Sequence, residues 1–269
     1  MDHTTQSGDS WRKKLNRILR REFSPELIGF NGVHANKFAT PLIYIPFQPY
    51  SWILYRFVTA FYLKLWMVLH IMNWEKNYPR ESDSKAKMFL YLSNWVYSLL
   101  CAYFLFSAVS TLVHHLKTAC KDTSTTVNRE DQQITKSIEC SGQDPCKNIT
   151  LPWYFKITWF LQNLAFVGTI MVTILRWGVD IGDNPMKHAS DIHIHGIGLI
   201  FVCIDIFVIA SPFRLQHVVY PLIFGLIYSA FTGFFYLAGG TKFIDDDKNT
   251  SIYETILDWG TYPKEQQLL

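Results

Sequence analysis

The chain has 269 residues, of which 49% are hydrophobic and 17% are charged. Ordinary soluble domains are about 25% charged, so this composition argues against a soluble protein and favours one that resides in a bilayer. The net charge of +3 is too small to indicate a nucleic acid as a partner.

The first 50 residues predict a cytosolic segment that contains a basic amphipathic helix at 10–23. The apolar residues of this helix share one face, and six Lys and Arg residues surround them. Such a helix suits an anionic membrane surface, although a solvated cytosolic helix would show the same pattern. Pro41, Pro46 and Pro49 predict an extended approach to the first membrane span.

Five hydrophobic stretches follow, and each is long enough to cross a bilayer. They cover residues 52–72, 88–114, 153–177, 192–210 and 218–239. Because crossing about 30 Å of hydrocarbon takes about 20 helical residues, residues 51–239 are predicted to form an all-α, multi-spanning transmembrane helical bundle. Within it, the polar segment 117–152 predicts a flexible loop, and 240–269 predicts a polar C-terminal tail.

The Lys and Arg residues outside the spans predict the orientation of the chain. With the N-terminus in the cytosol, the cytosolic segments carry 13 of them and the opposite segments carry 8, so the positive-inside rule favours this orientation. Two N-glycosylation sequons, at Asn148 and Asn249, lie on opposite sides, so at most one can be used. The charge count favours Asn249. Cys140 and Cys146, beside Asn148, favour the reverse, because a local disulfide would need an oxidising compartment.

Several polar residues lie inside the predicted spans, where each needs a partner. Lys64 and Asp205 lie near the middle of their spans and are predicted to pair, because either charge alone is costly in a bilayer. Arg56 lies close enough to the end of its span to extend its charge to the membrane surface. Gln162 and Asn163 are predicted to form hydrogen bonds between helices.

Ser93 and His195 form the main candidate site. Ser93 lies near the start of the second span and His195 near the start of the fourth, and these two spans run in the same direction. The side chains are therefore expected at similar depth, where a hydroxyl and an imidazole could form a nucleophile–base dyad. Asp191 precedes His195 by four residues on the same helical face, so it could orient the imidazole.

Simpler interpretations exist for the same residues. A serine in a membrane helix commonly bonds to a carbonyl of its own helix, and a histidine at a helix end can face the lipid headgroups. His188, His193 and His195 could also bind a metal ion, but their spacing is irregular and the last two point to different faces. The sequence therefore predicts neither a metal nor an organic cofactor.

Short motifs in this chain resemble the rolling stone family of multi-pass membrane proteins. They are the sequence KMFLYLSNW at 87–95, the stretch from Asp191 through His195 to Asp205, and the sequence IYETILDW at 252–259. The resemblance implies six spans, the last of them after Trp259, where this chain has a polar sequence instead. Rolling stone is named for a role in myoblast fusion, so the resemblance also implies a membrane protein of cell–cell fusion or differentiation.

A more distant resemblance is to the androgen-induced membrane hydrolases, which cleave fatty acid esters of hydroxy fatty acids. Their threonine nucleophile aligns onto Ser93, and an acidic residue follows their histidine after ten residues, as Asp205 follows His195. This resemblance implies a lipid-ester hydrolase in which Ser93 attacks the ester and His195 is the base. Its substrate would be an acyl ester that reaches the site from the membrane lipids.

Three functions therefore remain open: a lipid-ester hydrolase, a non-catalytic membrane protein in cell fusion, and a transporter. The transporter interpretation rests only on the charges of Lys64 and Asp205, without the repeated or broken helices that many transporters have. Substitution of Ser93 separates the first two, because it would abolish turnover and leave a fusion protein intact. Each function predicts an integral multi-pass protein, of the plasma membrane or the endoplasmic reticulum, whose protein partners the sequence does not identify.

Overall fold

The structure is a computed structural model that describes most of the chain outside its termini and longest loop. The described residues are 11–14, 23–24, 27–77, 85–127, 150–178, 189–240 and 259. Both sequons, Cys140, Cys146, His188, most of the C-terminal tail and most of the predicted N-terminal helix lie outside these ranges. Of that helix, residues 11–14 are described, and they are helical.

Within the described ranges, the bundle consists of five helices that we number in chain order. These are α1 (Tyr50–Met72), α2 (Leu92–Val127), α3 (Trp153–Gly178), α4 (Gly198–Val208) and α5 (Val219–Leu237). Turns of 3-10 helix, Lys85–Leu90 and Leu215–Val218, precede α2 and α5, and a π-helix, Ile192–Ile197, continues directly into α4. Three short helices, Asn36–Ala39, Trp74–Asn77 and Ala189–Asp191, complete the described elements. The predicted all-α fold is confirmed.

Four of these helical segments are long and apolar enough to cross a membrane. They are Tyr50–Met72, Leu92–Lys121, Trp153–Gly178 and Leu215–Leu237. The fourth predicted span corresponds to a shorter apolar helix, Ile192–Val208, whose length is close to the lower limit of about 17 residues for crossing a bilayer. The protein is therefore a multi-spanning helical membrane protein, with four full-length candidate spans and one shorter apolar helix among its described residues.

Helix α2 is longer than its apolar sequence indicates. It has 36 residues and ends at Val127, so it continues ten residues beyond the start of the loop predicted at 117. At 1.5 Å per residue it is about 54 Å long, whereas the hydrocarbon core is about 30 Å thick. Loss of the apolar pattern after His114 therefore marks where the helix leaves the hydrocarbon, and its backbone hydrogen bonds continue into the polar region.

Helix α2 also forms the centre of the bundle, where it packs against α1 and α3. Leu63, Leu100, Phe104, Ala165 and Val202 are among the buried residues of this core. In the most apolar part of α2 and of α3, 56% of the residues are buried, but in the last span only 11% are. Helix α5 therefore lies at the periphery, and most of its surface faces the hydrocarbon.

The residues before α1 cover one end of the bundle. The short helix Asn36–Ala39 is held against α2 by two histidines: His114 Nε2 lies 3.0 Å from Asn36 Oδ1, and His115 Nε2 lies 3.1 Å from the Ala39 carbonyl. Beyond it, the Leu42 N–H donates to the carbonyl of Val208, the last residue of α4. The segment is thus partly helical rather than extended throughout. We call this end, where α1 and α3 begin and α2 and α4 finish, the capped end.

The closest approach between α2 and α3 depends on Gly168. A Cβ atom at this position would lie 3.0 Å from Val96 Cγ2 and 3.1 Å from its Cγ1, which is closer than Cβ contacts normally are. Glycine therefore lets the two helices approach each other, as small residues do in many membrane helix pairs.

Replacement of Gly168 by leucine is expected to push α2 and α3 apart and to lower the free energy of unfolding by about 1–3 kcal/mol. Gly225→Leu is the matched control, because nothing lies within 4 Å of a Cβ at that helical position. Thermal unfolding in detergent, followed by circular dichroism, measures both. Equal unfolding temperatures for the two variants would contradict the close approach.

Candidate functional site

A buried ion pair joins α1 to α4. Arg56 Nη1 lies 2.8 Å from Asp205 Oδ2, and the two side chains are 2% and 0% exposed. Arg56 lies near the start of α1, and Asp205 lies near the end of α4. Because ionisable residues are rare inside membrane proteins and mostly functional, this pair is the first candidate site.

Two tyrosines lie beside the ion pair and form hydrogen bonds with Asp205. The Tyr103 hydroxyl, from α2, donates to Asp205 Oδ2 at 2.5 Å, and the Tyr55 hydroxyl lies 3.3 Å from Asp205 Oδ1. Arg56 Nη1 lies 3.2 Å from the Tyr103 oxygen, and the guanidinium carbon lies 4.2 Å from the centre of the Trp52 ring. Hydrogen bonds to both carboxylate oxygens offset the cost of removing the charges from water.

The predicted pairing of Lys64 with Asp205 is wrong. Lys64 is exposed, and Arg56 takes its place. Helices α1 and α4 run in opposite directions, so the end of α4 lies beside the start of α1. Lys64 is eight residues beyond Arg56, which places it about 12 Å farther along α1. The prediction that Arg56 extends its charge to the membrane surface is also wrong, because its side chain is buried.

Other polar side chains form pairs nearer the capped end. Ser110 and Thr158 join α2 to α3 through hydroxyl oxygens 3.0 Å apart. The hydroxyl of Ser211, after α4, donates to Gln162 Oε1 at 2.9 Å, and Asn163 Nδ2 lies 3.1 Å from His217 Nδ1, just before α5. Asn163 thus bonds to another helical element, as predicted, whereas Gln162 bonds to the irregular segment between α4 and α5 and not to another helix.

Ser93 lies in the first turn of α2, at the opposite end of the bundle, and its side chain is half-buried. Its neighbour Asn94 is buried and donates to the carbonyl of Met88, in the 3-10 turn before α2. The side chain of Asn94 thereby joins the first turn of α2 to this 3-10 turn, where the Met88 carbonyl also accepts from the Tyr91 N–H at 3.4 Å. Ser93 thus places a hydroxyl at the start of a helix that packs mainly against α1 and α3 and also contacts the π-helix.

His195 lies within the π-helix and is buried. The Thr173 hydroxyl of α3 donates to its backbone carbonyl at 3.0 Å, so α3 holds this turn in place. A π-turn inserted in an α-helix is rare and occurs frequently at functional sites. No feature of the sequence indicates this π-helix, since the apolar pattern fits a continuous α-helix.

The π-helix and α2 are neighbours, but Ser93 and His195 are not joined by a hydrogen bond among the described residues. A Cβ at Gly198 would lie 3.4 Å from Leu100 Cδ2, which fixes the relative depth of the two helices. Ser93 is seven residues before Leu100 and His195 is three residues before Gly198. The serine therefore lies about one helical turn closer to the membrane surface than the histidine.

Asp191 lies immediately before the π-helix, and its Oδ2 is 4.0 Å from Arg176 Nη2 of α3. His193 faces α1 instead of the bundle interior: its ring stacks on Trp66 with 3.4 Å between ring centres, and its Nε2 lies 2.9 Å from the Tyr62 hydroxyl. No group of three metal-binding side chains occurs in the described part of the chain. His188 lies outside that part.

The comparisons with known proteins place this chain in a family. A family model for protein rolling stone matches residues 48–266, which is most of the chain. This chain belongs to the rolling stone family. The protein rolling stone of Drosophila melanogaster is 28% identical to it over 213 residues, which cover 77% of this chain and 66% of that protein. The chain thus spans slightly less than two thirds of this relative's length, and no solved structure matches it.

The region matched by the rolling stone family contains both candidate sites. It begins two residues before α1 and continues beyond α5, so it includes the Arg56–Asp205 pair as well as Ser93, Asp191 and His195. Sequence reasoning missed the roles of Arg56, Tyr55 and Tyr103. The available signal was position, because Arg56 lies near the start of its helix and Asp205 lies near the end of the antiparallel one.

Replacement of Asp205 by asparagine is expected to lower the free energy of unfolding by about 3–5 kcal/mol, because it leaves the Arg56 charge buried without a counter-charge. The double substitution Arg56→Met with Asp205→Leu is expected to recover most of this loss, since it removes both charges. Lys64→Gln, on the same helix as Arg56, is the control. Thermal unfolding of the four proteins in detergent measures these effects, and wild-type stability for Asp205→Asn would contradict a structural role for the pair.

Proposed function

We propose that this rolling stone family protein is a lipid-ester hydrolase in which Ser93 is the nucleophile and His195 the general base. The observation that carries the proposal is the π-helical turn, which holds a buried histidine inside the bundle beside the helix that begins with Ser93. Histidine is costly in such surroundings, so a function is the expected reason for its presence. The distant resemblance to membrane ester hydrolases selects the same two residues.

In the proposed reaction, Ser93 Oγ attacks the carbonyl carbon of an acyl ester while its proton passes to the imidazole of His195. The tetrahedral intermediate collapses, the ester C–O bond breaks, and the imidazolium returns the proton to the leaving alcohol. Water then attacks the acyl-enzyme with the same histidine as base, which releases a fatty acid and restores Ser93. This sequence of steps requires neither a metal nor an organic cofactor.

Ser93 and His195 are offset by about one helical turn along the bundle, so this mechanism requires a way for the base to reach the hydroxyl. The base must reach the hydroxyl directly or through one water molecule, and catalytic hydrogen bonds are often formed only when the substrate is bound. Asp191, one turn before His195, is proposed to orient the imidazole, and Arg176 Nη2 lies 4.0 Å from Asp191 Oδ2. Because Ser93 lies in the first turn of α2, an acyl chain could remain in the bilayer while its ester reaches the hydroxyl.

A second candidate function is a non-catalytic role in cell–cell fusion or differentiation. Its support is that many polar side chains within the bundle bind other parts of the protein, as the Arg56–Asp205, Ser110–Thr158 and Gln162–Ser211 contacts do. On this view Ser93 and His195 are structural, and protein partners bind surfaces outside the membrane. Both candidates are integral membrane functions at the plasma membrane or endoplasmic reticulum, with the N-terminus proposed to be cytosolic.

Labelling with a fluorophosphonate probe separates these two candidates. The wild-type protein is expected to react, and Ser93→Ala and His195→Ala are expected to lose labelling completely, because one lacks the nucleophile and the other lacks the base. Ser98→Ala is the matched control on the same helix, since the Ser98 hydroxyl donates to the carbonyl of Asn94 and contacts Met67 Sδ at 3.8 Å, and it is no part of the proposed dyad. A folded wild-type protein that does not react, or labelling that survives Ser93→Ala, would favour the non-catalytic role.

The proposed cytosolic N-terminus makes a separate prediction for the two sequons. Expressed in cells with a glycosylation pathway, the protein is expected to carry an N-glycan at Asn249 and none at Asn148. Asn249→Gln should therefore abolish the gel shift that an N-glycosidase reverses, and Asn148→Gln should leave it unchanged. The opposite result would reverse the orientation of every span.

A further inference from the structure

A small cavity lies at the capped end of the bundle. Tyr103 and Ser107, which line it, lie ten and 14 residues beyond Ser93 on α2, or about 15 and 21 Å along the helix. The lining of the cavity comes from α1, α2, α3, the segment before α1 and the segment after α4. The lining residues are Lys37, Phe38, Thr40, Trp52, Arg56, Tyr103, Ser107, Thr158, Gln162, Ile209 and Ser211. The space open to the centre of a water-sized molecule is about 10 Å³, which is enough for a single oxygen atom or one water molecule.

Three of the lining side chains carry a buried N–H group that has no hydrogen-bond partner within the described part of the chain. These groups are Trp52 Nε1, Arg56 Nε and Gln162 Nε2, and each of the three residues is 1% exposed. Each comes from a helix that other contacts hold in place, through the Asp205 ion pair for Arg56 and the Ser211 hydroxyl for Gln162. The three donors are therefore fixed in position around the same small space.

Unpaired donors of this kind are unfavourable. Burial of a donor without a partner costs about 1–3 kcal/mol, and more for a charged group. Three such donors around one cavity thus favour a ligand that supplies acceptors only. An oxygen atom of a carboxylate or phosphate has this property, and its hydrogen bonds to charged donors are about twice as strong as those between neutral groups.

The charge around the cavity also favours an anion. Among the described residues that line it, Lys37 and Arg56 are cationic and none is acidic. Asp205 neutralises Arg56, which leaves the charge of Lys37 in excess. Lys37 is exposed and Thr40 is half-buried, so the cavity leads towards the membrane surface on this side. An anionic headgroup could place one oxygen in the cavity while its other atoms lie beside Lys37.

We propose that this cavity binds the terminal oxygen of an anionic headgroup, either a carboxylate or a phosphate. Trp52, Arg56 and Gln162 donate to the bound oxygen, and Lys37 neutralises the remaining charge at the surface. The site is independent of the proposed hydrolase, because it lies at the other end of the bundle from Ser93 and uses none of its residues. It gives the protein a second, non-catalytic lipid contact on the proposed cytosolic side of the membrane.

The indole N–H of Trp52 provides a direct probe of this site. In protein labelled with ¹⁵N-tryptophan and placed in phosphatidylcholine nanodiscs, the Trp52 signal is the one that disappears in Trp52→Phe. Addition of oleate or of phosphatidic acid is expected to shift this signal in a saturable manner. Inorganic phosphate, added separately, shows whether a soluble anion binds as a lipid does. A shift with lipids alone assigns the site to lipid headgroups, and a shift with phosphate as well assigns it to anions of either source.

Two substitutions test the residues that the proposal names. Lys37→Gln should weaken binding about threefold, the effect expected of an exposed ion pair, whereas Lys64→Gln, which lies outside the lining, should leave it unchanged. Gln162→Glu keeps an acceptor for Ser211 and replaces the amide donor with an acceptor, so it should weaken binding by about tenfold or more. No shift of the Trp52 signal with any ligand would mean that water alone satisfies the donors. That result, or equal affinities for all the variants, would overturn the proposal.

Discussion

The ion pair between Arg56 and Asp205 is the interaction on which the rest of the bundle depends. Neither charge has access to water, so each requires the other, and both lie within hydrogen-bonding distance of Tyr103 on the central helix. Three helices are therefore fixed at one depth, since displacing any of them along its axis would break a charged hydrogen bond in a medium of low dielectric constant. Apolar packing alone would allow such sliding, because lipid-facing and helix-facing apolar contacts differ little in energy.

Further polar contacts extend this constraint towards the capped end. With α1, α2 and α4 fixed there, α3 completes the arrangement through Ser110–Thr158 and Gln162–Ser211. The turn before α5 connects α5 to α3, because His217 in this turn contacts Asn163 of α3. The peripheral position of α5 follows, because its own helical residues are mostly apolar and exposed. The segment before α1 then covers the assembled end, held by the two histidines of α2.

The sequence predicts the helical class and the approximate positions of the membrane segments, because both depend on the length of apolar runs. It does not predict the end of α2, since the polar residues after His114 are compatible with a helix in water as well as with a loop. It also predicts the wrong partner for Asp205. It selects Lys64, which lies deeper in α1 than Arg56 does, because apolar patterns do not determine the relative depth of two helices. The π-helix around His195 is invisible for a similar reason: its hydrogen bonds shift by one residue without any change in composition.

The position of α4, which the Arg56–Asp205 pair determines, explains what the π-helix changes in the structure. Asp205 determines the depth and the rotation of α4, so a regular helix extended back from it would determine the direction of His195 as well. The π-helix Ile192–Ile197, which contains His195, has more residues per turn than an α-helix, so it rotates the residues within and before it relative to α4. His195 is thereby buried beside α3, where Thr173 binds its carbonyl, although Asp205 alone sets the position of α4. The direction in which His195 points therefore depends on the π-turn as well as on the position of α4, because a regular helix would turn the same side chain towards a different neighbour.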